Sequence, residues 1–295
     1  MADIKNQRIF LTGCTGFIGT RLVQALSDNN DIFCLCRKCP LCDSKGNIEY
    51  IKHDFINPLR TDKLPKEVDI IIHLAASFDK PRSPGKIEMY KVNTLSTLEL
   101  LEYGKRAGID LFLYASTGGV YGYGEMPFKE SDLVSPFDFY TLTKYIGELL
   151  VNSYEETFIT IINRYFFPYG PGQVNRFIPL MIANVMQKQQ ILTNTHGGPI
   201  VNPLYITDVV QLTINTLKSK RGDIFNIAGL EKYSLMEIAD LIGKYVGQEP
   251  MYRCTDEIPS GDIVGDVTKI IKKIDFKVVP FVEGLRRTIE SILNK

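Results

Sequence analysis

The stretch of sequence that decides the fold lies near the N-terminus and reads Arg8-Ile9-Phe10-Leu11-Thr12-Gly13-Cys14-Thr15-Gly16-Phe17-Ile18-Gly19. Its first five residues contain the apolar run of a buried β-strand, and a helical pattern begins at Gly19. A Gly-x-x-Gly-x-x-Gly turn lies between them. Glycines let such a turn approach a phosphate closely, and the N–H groups at the start of the helix attract its negative charge. The stretch therefore predicts a dinucleotide-binding turn at the start of a β–α–β unit.

Strand and helix patterns continue to alternate after this turn, as far as about residue 164. Near-continuous apolar strands joined by helices are typical of a parallel sheet that is covered on both faces. The sequence therefore predicts an α/β fold: a doubly wound parallel Rossmann sheet with a small discontinuous C-terminal substrate lobe. The further strands are expected at Asp31–Cys36, Ile48–Lys52, Val68–Leu74, Leu111–Ala115 and Ile224–Ile227, and a long helix at Met89–Arg106.

The domain boundaries follow from where this alternation stops. It loosens after Arg164, and the Pro- and Gly-rich stretch Pro168–Gly172 marks a turn out of the sheet. We expect residues 1–165, together with about 200–228, to form the dinucleotide-binding domain. Residues 166–199 and 229–295 are expected to form the substrate-binding lobe, with the active site at the carboxyl ends of the strands.

Composition excludes several classes of function. Lys+Arg and Asp+Glu both total 34 in the 295 residues, and a chain without net positive charge is a poor nucleic-acid binder. No apolar run approaches the roughly 20 residues of a membrane span. The N-terminal residues lack a signal-peptide pattern, and the six cysteines are expected to be thiols. We therefore expect a cytoplasmic protein with a small-molecule substrate and neither a nucleic-acid nor a membrane partner.

Further motifs follow the glycine-rich turn in order across nearly the whole chain. They are His53-Asp54-Phe55, His73-Leu74-Ala75-Ala76, Asn93, Ser116-Thr117-Gly118-Gly119-Val120-Tyr121-Gly122, Tyr140-Thr141-Leu142-Thr143-Lys144 and Arg164-Tyr165-Phe166-Phe167-Pro168-Tyr169-Gly170-Pro171. This ordered set resembles the extended short-chain dehydrogenases/reductases, the NAD-dependent epimerase/dehydratase family. The resemblance implies an NAD(P)-dependent enzyme that moves a hydride between nicotinamide and a carbon bearing a hydroxyl or keto group.

The resemblance also implies cofactor contacts. Asp54 and Phe55 are expected at the adenine. Ala75 and Ala76 are expected on the nicotinamide side, whereas His73 is expected to be an ordinary packed strand residue. The full expected set is Gly13, Thr15, Gly16, Phe17, Ile18, Gly19, Arg37, Lys38, Asp54, Phe55, Leu74, Ala75, Ala76, Asn93, Tyr140, Lys144 and Phe167.

The end of the second expected strand bears on the choice of cofactor. An enzyme that prefers NAD usually has an acidic residue here for the ribose 2′-hydroxyl, whereas this chain has Cys36-Arg37-Lys38. Two cations suit a 2′-phosphate, so the sequence favours NADP over NAD. The alternative is that Arg37 and Lys38 lie on a solvated loop.

The candidate catalytic residues are Thr117, Tyr140 and Lys144. Tyr140 and Lys144 are four residues apart and share one face of a helix. Free tyrosine titrates near pH ~10, and an adjacent ammonium group favours the phenolate. Tyr140 would then exchange a proton with the substrate hydroxyl, and Lys144 would also hold the nicotinamide ribose. Thr117 would hydrogen-bond the same substrate oxygen, with Ser116 as a weaker candidate; the alternative is an exposed Tyr/Lys pair without chemistry.

A cysteine cluster follows the second expected strand, at Cys34, Cys36, Cys39 and Cys42. The spacing from Cys36 onward is compatible with zinc or iron–sulfur ligation. Cys34 and Cys36, however, fall on one side of a strand, where cysteine is an ordinary buried apolar residue. We therefore expect no metal site.

The C-terminal half departs from the family at positions that grip the nucleoside diphosphate of nucleotide sugars. Phe167 stands where such relatives have an asparagine, and Val201 where they have an arginine. The stretch Ile258–Asp262 lacks a second arginine. Candidate replacements are Arg176, Lys188 and Arg253. Gly118-Gly119 also replaces the Asp-Glu pair of sugar 4,6-dehydratases, which disfavours dehydration.

Three functions remain open. The first is hydride transfer at a hydroxyl or keto carbon of a sugar-like, nucleotide-linked substrate, by a sugar epimerase or ketoreductase. The second is a net NADPH-dependent reductase of a carbonyl compound without a nucleotide. The third is a non-catalytic protein that senses a dinucleotide. The resemblance further implies a homodimer formed through the helices at Met89–Arg106 and Tyr140–Tyr154.

Overall fold

The computed structural model describes residues 4–39, 46–78, 85–219, 221–258 and 261–294. In chain order the strands are β1 Arg8–Thr12, β2 Asp31–Cys36, β3 Ile48–Lys52, β4 Ile70–His73, β5 Leu111–Thr117, β6 Ile159–Tyr165, β7 Pro168–Tyr169, β8 Gln190–Thr193, β9 Ile200–Val201, β10 Leu204–Tyr205, β11 Asp223–Ile227, β12 Tyr233–Ser234 and β13 Met251–Cys254. The α-helices are α1 Gly19–Leu26, α2 Lys86–Tyr90, α3 Ser96–Ala107, α4 Phe139–Asn152, α5 Phe177–Met186, α6 Ile206–Leu217, α7 Leu235–Val246 and α8 Phe281–Leu293.

Seven strands form the main sheet, in the order β11-β6-β5-β4-β1-β2-β3. β1 pairs with β2 and β4 in parallel, and β2–β3 and β4–β5 are parallel as well. The chain leaves β1 towards β2 and β3, then returns to the other side of β1 and continues through β4, β5 and β6. The order therefore reverses between β1 and β4, and ligands of doubly wound sheets bind at the carboxyl ends of the strands at such a point. The expected doubly wound parallel fold is confirmed.

The central strands are buried because their side chains are apolar on both faces of the sheet. In β1, Ile9, Phe10 and Leu11 are fully buried, as are Ile71 and Ile72 in β4. This is the pattern of a parallel strand covered by helices on both sides. The bounds of β1, β2 and β3 are those expected from the sequence, because a run of apolar residues between turn signals defines such strands locally.

The expected helix at Met89–Arg106 is longer and less regular than predicted. It begins at Lys86, ends at Ala107 and contains a π-helical turn, Lys91–Leu95, between α2 and α3. Single π-turns within α-helices occur frequently at functional sites. This turn carries the buried Asn93.

The chain divides into two compact units. The first comprises Met1–Val120, Pro136–Arg164 and Thr213–Phe225, and the second comprises Tyr121–Ser135, Tyr165–Leu212 and Asn226–Lys295. The second unit contains three two-stranded sheets, β10–β7, β12–β9 and β13–β8.

These units differ from the expected domains mainly in residues 121–135 and 200–212, and by one to three residues at 165 and 226–228. Residues 121–135, expected in the dinucleotide domain, belong to the second unit because Gly124 and Phe128 form β-bridges with Asp262 and Gly265. Residues 200–212 also belong to it, because β10 pairs with β7. Strand pairs between segments distant in sequence decide these boundaries. Among the described helices, none is long and apolar enough to cross a membrane.

The packing of α4 on β5 generates the first prediction. A Cβ at Gly147 would lie 2.6 Å from Cζ of the buried Tyr114 ring and closer still to its hydroxyl. In an open helix, replacing glycine with alanine stabilises by about 1 kcal/mol. At this position we expect Gly147→Ala to destabilise the protein by about 1–3 kcal/mol, as overpacking of a core does. Urea denaturation followed by circular dichroism measures the difference.

The matched control is the double variant Gly147→Ala/Tyr114→Phe, which removes the nearest clashing atom. It should recover part of the loss. A Gly147→Ala protein as stable as the wild type would contradict the close packing of α4 on Tyr114.

Candidate active site

The glycine-rich turn after β1 leaves no space for side chains. Gly13 has φ +73°, and a Cβ there would lie 2.8 Å from the Ala75 backbone nitrogen. A Cβ at Gly19 would lie 2.8 Å from the Gly13 carbonyl carbon and would overlap its oxygen. The clashing atoms are backbone atoms and cannot rotate away. The Gly16 N–H donates to the Gly13 carbonyl over 2.9 Å and closes the turn.

Helix α1 presents an unneutralised N-terminus at this turn. Its first turn contains no acidic residue, and no side chain caps it. The Thr20 N–H donates to the Gly16 carbonyl and the Leu22 N–H to the Ile18 carbonyl, and this end of the helix carries the positive end of its dipole. Thr15 and Gly16 are exposed, while Phe17 and Ile18 are half-buried. A side-chain-free turn leading into such an end fits the pyrophosphate of a dinucleotide.

Arg21 is a cation at this turn that the sequence analysis did not single out. Its guanidinium donates to the Phe17 carbonyl over 2.8 Å and lies 4.7 Å from the centre of the Phe17 ring. The contact holds the backbone of the turn and adds positive charge to it. An arginine four residues after an aromatic residue, at the start of a helix, is the sequence signal that was available.

A chain of hydrogen bonds connects the end of β4 with the π-turn. Thr12 Oγ1 accepts from the Ala75 N–H at 3.2 Å and lies 2.7 Å from His73 Nδ1. His73 Nε2 lies 3.2 Å from Thr97 Oγ1, which donates to the Asn93 carbonyl. Because Thr97 uses its proton there, Nε2 carries the imidazole proton and Thr12 donates to Nδ1. Burial lowers the pKa of His73 well below its ordinary value, so the ring is neutral and structural.

Asn93 holds protein segments together with its side chain. It is fully buried; its Oδ1 accepts from the Ser77 N–H at 2.7 Å. Its Nδ2 donates to the Ser77 carbonyl at 2.9 Å and to Thr143 Oγ1 at 3.0 Å. All these contacts are internal. The amide fixes the segment after β4 against α4, and a cofactor contact of Asn93 stays a prediction.

The two residues expected at the adenine, Asp54 and Phe55, differ in their exposure. Phe55 is 8% exposed, and its ring lies in the hydrophobic core, 6.0 Å from the His73 ring. Its side chain therefore packs in the core, and a contact of this residue with adenine stays a prediction. Asp54, just after β3, is half-buried, and its carboxylate accepts from the Ile56 N–H at 3.3 Å. Leu74, Ala75 and Ala76 follow β4 and are half-buried.

The expected catalytic residues all lie in the first unit. A capping box between Asp138 and Thr141 fixes the start of α4, so that Tyr140 stands in its first turn. Tyr140 is half-buried, and its ring lies 4.8 Å from that of Phe78. Lys144 is 1% exposed and follows one turn later.

Thr117 ends β5 close to this helix. Its Oγ1 accepts from the Gly119 N–H at 3.2 Å. A Cβ at Gly119 would lie 2.9 Å from the Thr141 methyl group and 3.5 Å from Thr117 Oγ1. Gly119 therefore lies between the strand end and the first turn of α4, and a side chain there would displace the Thr141 side chain. The end of β5 with Thr117 thus lies near the first turn of α4, which carries Tyr140.

Ser116, the weaker candidate, is buried and donates to the Glu148 carboxylate. The Ser116 hydroxyl therefore already has a partner, whereas the Thr117 hydroxyl proton is not used in the bond to the Gly119 N–H. Arg164 binds the same carboxylate, with Nη2 2.6 Å from Oε2 and Nε 3.0 Å from Oε1. The sequence analysis missed Glu148 and did not separate Arg164 from its motif. The signal for Glu148 was its position four residues after Lys144.

The electrostatics of Lys144 follow from its burial. Its Nζ lies 4.0 Å from the centre of the Tyr114 ring, and loss of hydration lowers the pKa of Lys144 to about 7, while the negative charge of Glu148 raises it. Near neutral pH the proton on this amine is therefore easily exchanged. Lysine shifts its pKa readily when it is buried.

Arg37 and Lys38 are exposed residues directly after β2. Next to them, the sulfur atoms of Cys36 and Cys39 are 3.5 Å apart. Cys42 lies outside the described residues. Within the part of the chain that is described, no three His, Cys, Asp or Glu side chains are grouped as metal ligands would be.

The remaining predicted positions lie in the second unit. Phe167 has φ +44°, and its ring lies 5.3 Å from that of Phe177. Val201 is buried in β9. Its neighbour Asn202 bonds the Gly229 carbonyl and both backbone groups of Gly265. These residues hold the unit together, and Arg253 and Lys188 are exposed.

Comparison with known proteins decides the family. The family described as "NAD dependent epimerase/dehydratase family" matches residues 9–228 of the 295. The chain belongs to this family. The resemblance expected from the motifs is thereby confirmed, and the chain is an NAD(P)-dependent enzyme of the extended short-chain dehydrogenase/reductase type.

Relatives of this epimerase/dehydratase family member resemble it along their whole length. A putative UDP-glucose 4-epimerase of Methanocaldococcus jannaschii is 29% identical over 97% of this chain and 98% of its own. A dTDP-glucose 4,6-dehydratase of Streptomyces niveus is 29% identical over 96% and 92%. Among solved structures, UDP-glucuronic acid 4-epimerase from Bacillus cereus in complex with UDP-glucuronic acid and NAD is 25% identical, with a TM-score of 0.84 and coverage of 97% and 99%.

The burial of Lys144 predicts how stability depends on pH. Below about pH 7 the amine is charged in both the folded and the unfolded chain, so the full cost of burying the charge remains. Between pH 7 and the ordinary value of 10.5 only the unfolded chain keeps the proton, which is then lost on folding. The unfolding free energy should therefore rise with pH across this window.

Lys144→Met should remove that pH-dependent rise. Urea denaturation of the cofactor-free protein at several pH values measures it. Lys105→Met, which changes an exposed lysine of α3, should leave the slope unchanged. Parallel pH curves for the wild type and Lys144→Met would contradict the buried-amine interpretation.

Proposed function

We propose that the protein catalyses NAD(P)-dependent hydride transfer at a hydroxyl or keto carbon of a sugar-like, nucleotide-linked substrate. The proposal rests on one observation: the first unit contains both the glycine turn without side chains and the residues Thr117, Tyr140 and Lys144. When bound, the nicotinamide supplies the acceptor or donor of the hydride. UDP- and dTDP-sugar enzymes among the relatives support the substrate class.

The chain's own residues would hold and move the proton. Tyr140 Oη takes the proton of the substrate hydroxyl during oxidation and returns it during reduction. Tyr140 accepts that proton as a phenolate and becomes a phenol; in reduction it gives the proton back and is again a phenolate. The Lys144 ammonium stabilises this phenolate form of Tyr140. Thr117 Oγ1 hydrogen-bonds the same substrate oxygen and orients it. Proton transfer by a positioned residue is typically worth 10²–10⁴-fold in rate.

We favour an epimerase or ketoreductase over a dehydratase. Dehydration needs acid and base groups near the oxidised carbon, and positions 118 and 119 are both glycine. A Cβ at position 119 would lie 2.9 Å from the Thr141 methyl group, so a glutamate there would require the Thr141 side chain to move. The close packing of Gly119 therefore favours a site that lacks the Asp-Glu pair of the dehydratases.

Two alternatives depend on particular residues. Phe167 and Val201 lack the polar groups that grip a nucleoside diphosphate, which favours a net reductase of a carbonyl compound. A non-catalytic dinucleotide sensor would have no need of Thr117, Tyr140 and Lys144 together, and their presence counts against it.

We also propose the homodimer implied by the family, through α3 and α4. Large apolar side chains are exposed on both helices, among them Leu98, Leu142 and Leu149. A cytoplasmic location stays a prediction.

Replacing Tyr140 tests catalysis. Tyr140→Phe keeps the ring against Phe78 and removes the phenol, so we expect kcat to fall about 10²–10⁴-fold, with stability nearly unchanged. Steady-state kinetics with a panel of UDP- and dTDP-hexoses measures it. Tyr145→Phe on the same helix is the control and should retain activity. Undiminished turnover by Tyr140→Phe would rule out the catalytic assignment.

Replacing Arg37 and Lys38 tests whether the protein prefers NADP or NAD. NAD is the form bound in the Bacillus cereus epimerase, whereas Arg37 and Lys38 favour NADP. If the two cations bind a 2′-phosphate, Arg37→Ala/Lys38→Ala should weaken NADPH binding about tenfold or more and leave NADH unchanged. Isothermal titration measures both affinities, and Arg60→Ala, an exposed arginine paired with Asp62, is the control.

The nucleotide released on denaturing the purified protein separates the two reaction types. Stoichiometric NAD fits an epimerase, which regenerates its cofactor in each turnover. An empty protein that prefers NADPH fits the net reductase. Unchanged affinities for both NADPH and NADH in the double variant would mean that Arg37 and Lys38 are solvated charges, and equal losses would mean that they do not recognise the 2′-phosphate.

A further inference from the structure

Three functional groups follow one another along a single face of α4. Tyr140, Lys144 and Glu148 are spaced by four residues, which places them one above the other on a helix. Lys144 and Glu148 are each 1% exposed. A lysine and a glutamate are almost never buried so completely unless they are paired.

The Glu148 carboxylate is fixed by two neighbouring strands. Arg164 on β6 binds it through two nitrogens, with Nη2 2.6 Å from Oε2 and Nε 3.0 Å from Oε1. Ser116 on β5 donates its hydroxyl to Oε1. A two-pronged guanidinium contact fixes the plane of the carboxylate as well as its position. The negative charge thus has one orientation relative to α4.

The buried Glu148–Arg164 ion pair does not by itself stabilise the fold efficiently. Burying two charges removes both from water, and an apolar pair of similar size is often at least as stable. A contribution to stability is therefore a weak explanation for the ion pair. Glu148 lies one helical turn beyond Lys144 and is bonded to the residue before Thr117, and this position points instead to the site.

Several groups around Lys144 interact with it electrostatically. Tyr114 of β5 lies under the amine, with the Nζ 4.0 Å from its ring centre. His73 of β4 is neutral, and the Lys144 charge further lowers the pKa of His73. On α4 itself stand Tyr140 and Glu148. The Glu148 carboxylate raises the pKa of Lys144 against the opposing effect of burial.

We infer that Glu148, held by Arg164, is a positioning residue that keeps the proton on Lys144 Nζ while Tyr140 exchanges its own proton with the substrate. The inference rests on the proposed function for the role of Tyr140, but its first half concerns Lys144 alone. Without the carboxylate, the amine loses its proton at lower pH. Tyr140 then has no adjacent cation, and the base-dependent limb of the oxidation reaction moves to higher pH.

The variants are chosen so that folding does not obscure the result. Glu148→Gln keeps an acceptor for Ser116 but leaves Arg164 without a counter-charge, which destabilises a buried pair strongly. Glu148→Gln/Arg164→Met removes both charges together. Glu148→Asp retains the charge and is the rescue variant. Glu102→Gln, an exposed glutamate of α3, is the matched control.

Two measurements test the inference. In the cofactor-free protein, the pH-dependent stability that Lys144→Met abolishes reports the proton on Lys144. Its lower boundary should move down by about one pH unit, a tenfold change in proton affinity, in Glu148→Gln and stay in place in Glu102→Gln. In Glu148→Gln/Arg164→Met it should move in the same direction by less, because the Arg164 cation is lost as well. With cofactor, the rising limb of kcat against pH should move up by a similar amount, and Glu148→Asp should restore it.

The outcomes separate this inference from the proposed function. A uniform fall in kcat at every pH, with the Lys144 boundary unmoved, would mean that Glu148 is structural and would overturn the inference. If Tyr140→Phe turns over as fast as the wild type, the proposed function fails, while the cofactor-free measurement still decides whether Glu148 holds the proton on Lys144. A shifted boundary together with a shifted kcat profile supports both.

Discussion

A lysine ammonium group removed from water is stable only as far as its surroundings replace its hydration. Lys144 is 1% exposed, rests on the Tyr114 ring and stands one turn from the carboxylate of Glu148. Burial lowers the pKa of Lys144 and the carboxylate raises it, and the balance is a pKa of about 7. The rest of the site depends on that balance, because the charge on this amine decides whether a neighbouring phenol can give up its proton near neutral pH.

The fold serves this constraint through close backbone packing. The absence of a Cβ at Gly147 lets α4 lie directly on Tyr114, and the absence of one at Gly119 lets the end of β5 reach the first turn of α4. Asn93, in the π-turn, ties α4 to the segment after β4. These contacts place the proton-carrying helix beside the strand ends where the sheet order reverses, and the glycine turn before α1 opens at the same edge. Gly147, Gly119 and Asn93 thus affect both the packing of α4 and the placement of the residues expected to act in catalysis.

The sequence predicts the parts of this arrangement that depend on local pattern. Apolar runs located β1, β2 and β3, and the glycine turn located the start of α1, because strand and turn preferences act over a few residues. Phe55 and Asn93 show what a motif leaves undecided: both belong to family motifs, and their side chains pack inside the protein. Membership of a motif does not distinguish a side chain that faces a ligand from one that positions its neighbours. The pairing of Glu148 with Arg164 depends on β6 lying beside β5, and residues 121–135 join the second unit through β-bridges to residues far along the chain. Such contacts are decided by tertiary structure.

The charge state of Lys144 can be measured directly. The chain can be labelled at its lysine side chains, and the nuclear magnetic resonance signal of each amine can be followed in the cofactor-free protein as pH is raised; the Lys144→Met variant identifies the relevant signal. We predict one signal that titrates near pH 7 and is missing from the variant, whereas an ordinary lysine titrates near 10.5. If every lysine signal of the folded protein titrates near the ordinary value, the buried amine does not hold its proton weakly, and the claim that burial lowers the pKa of Lys144 to about 7 is wrong.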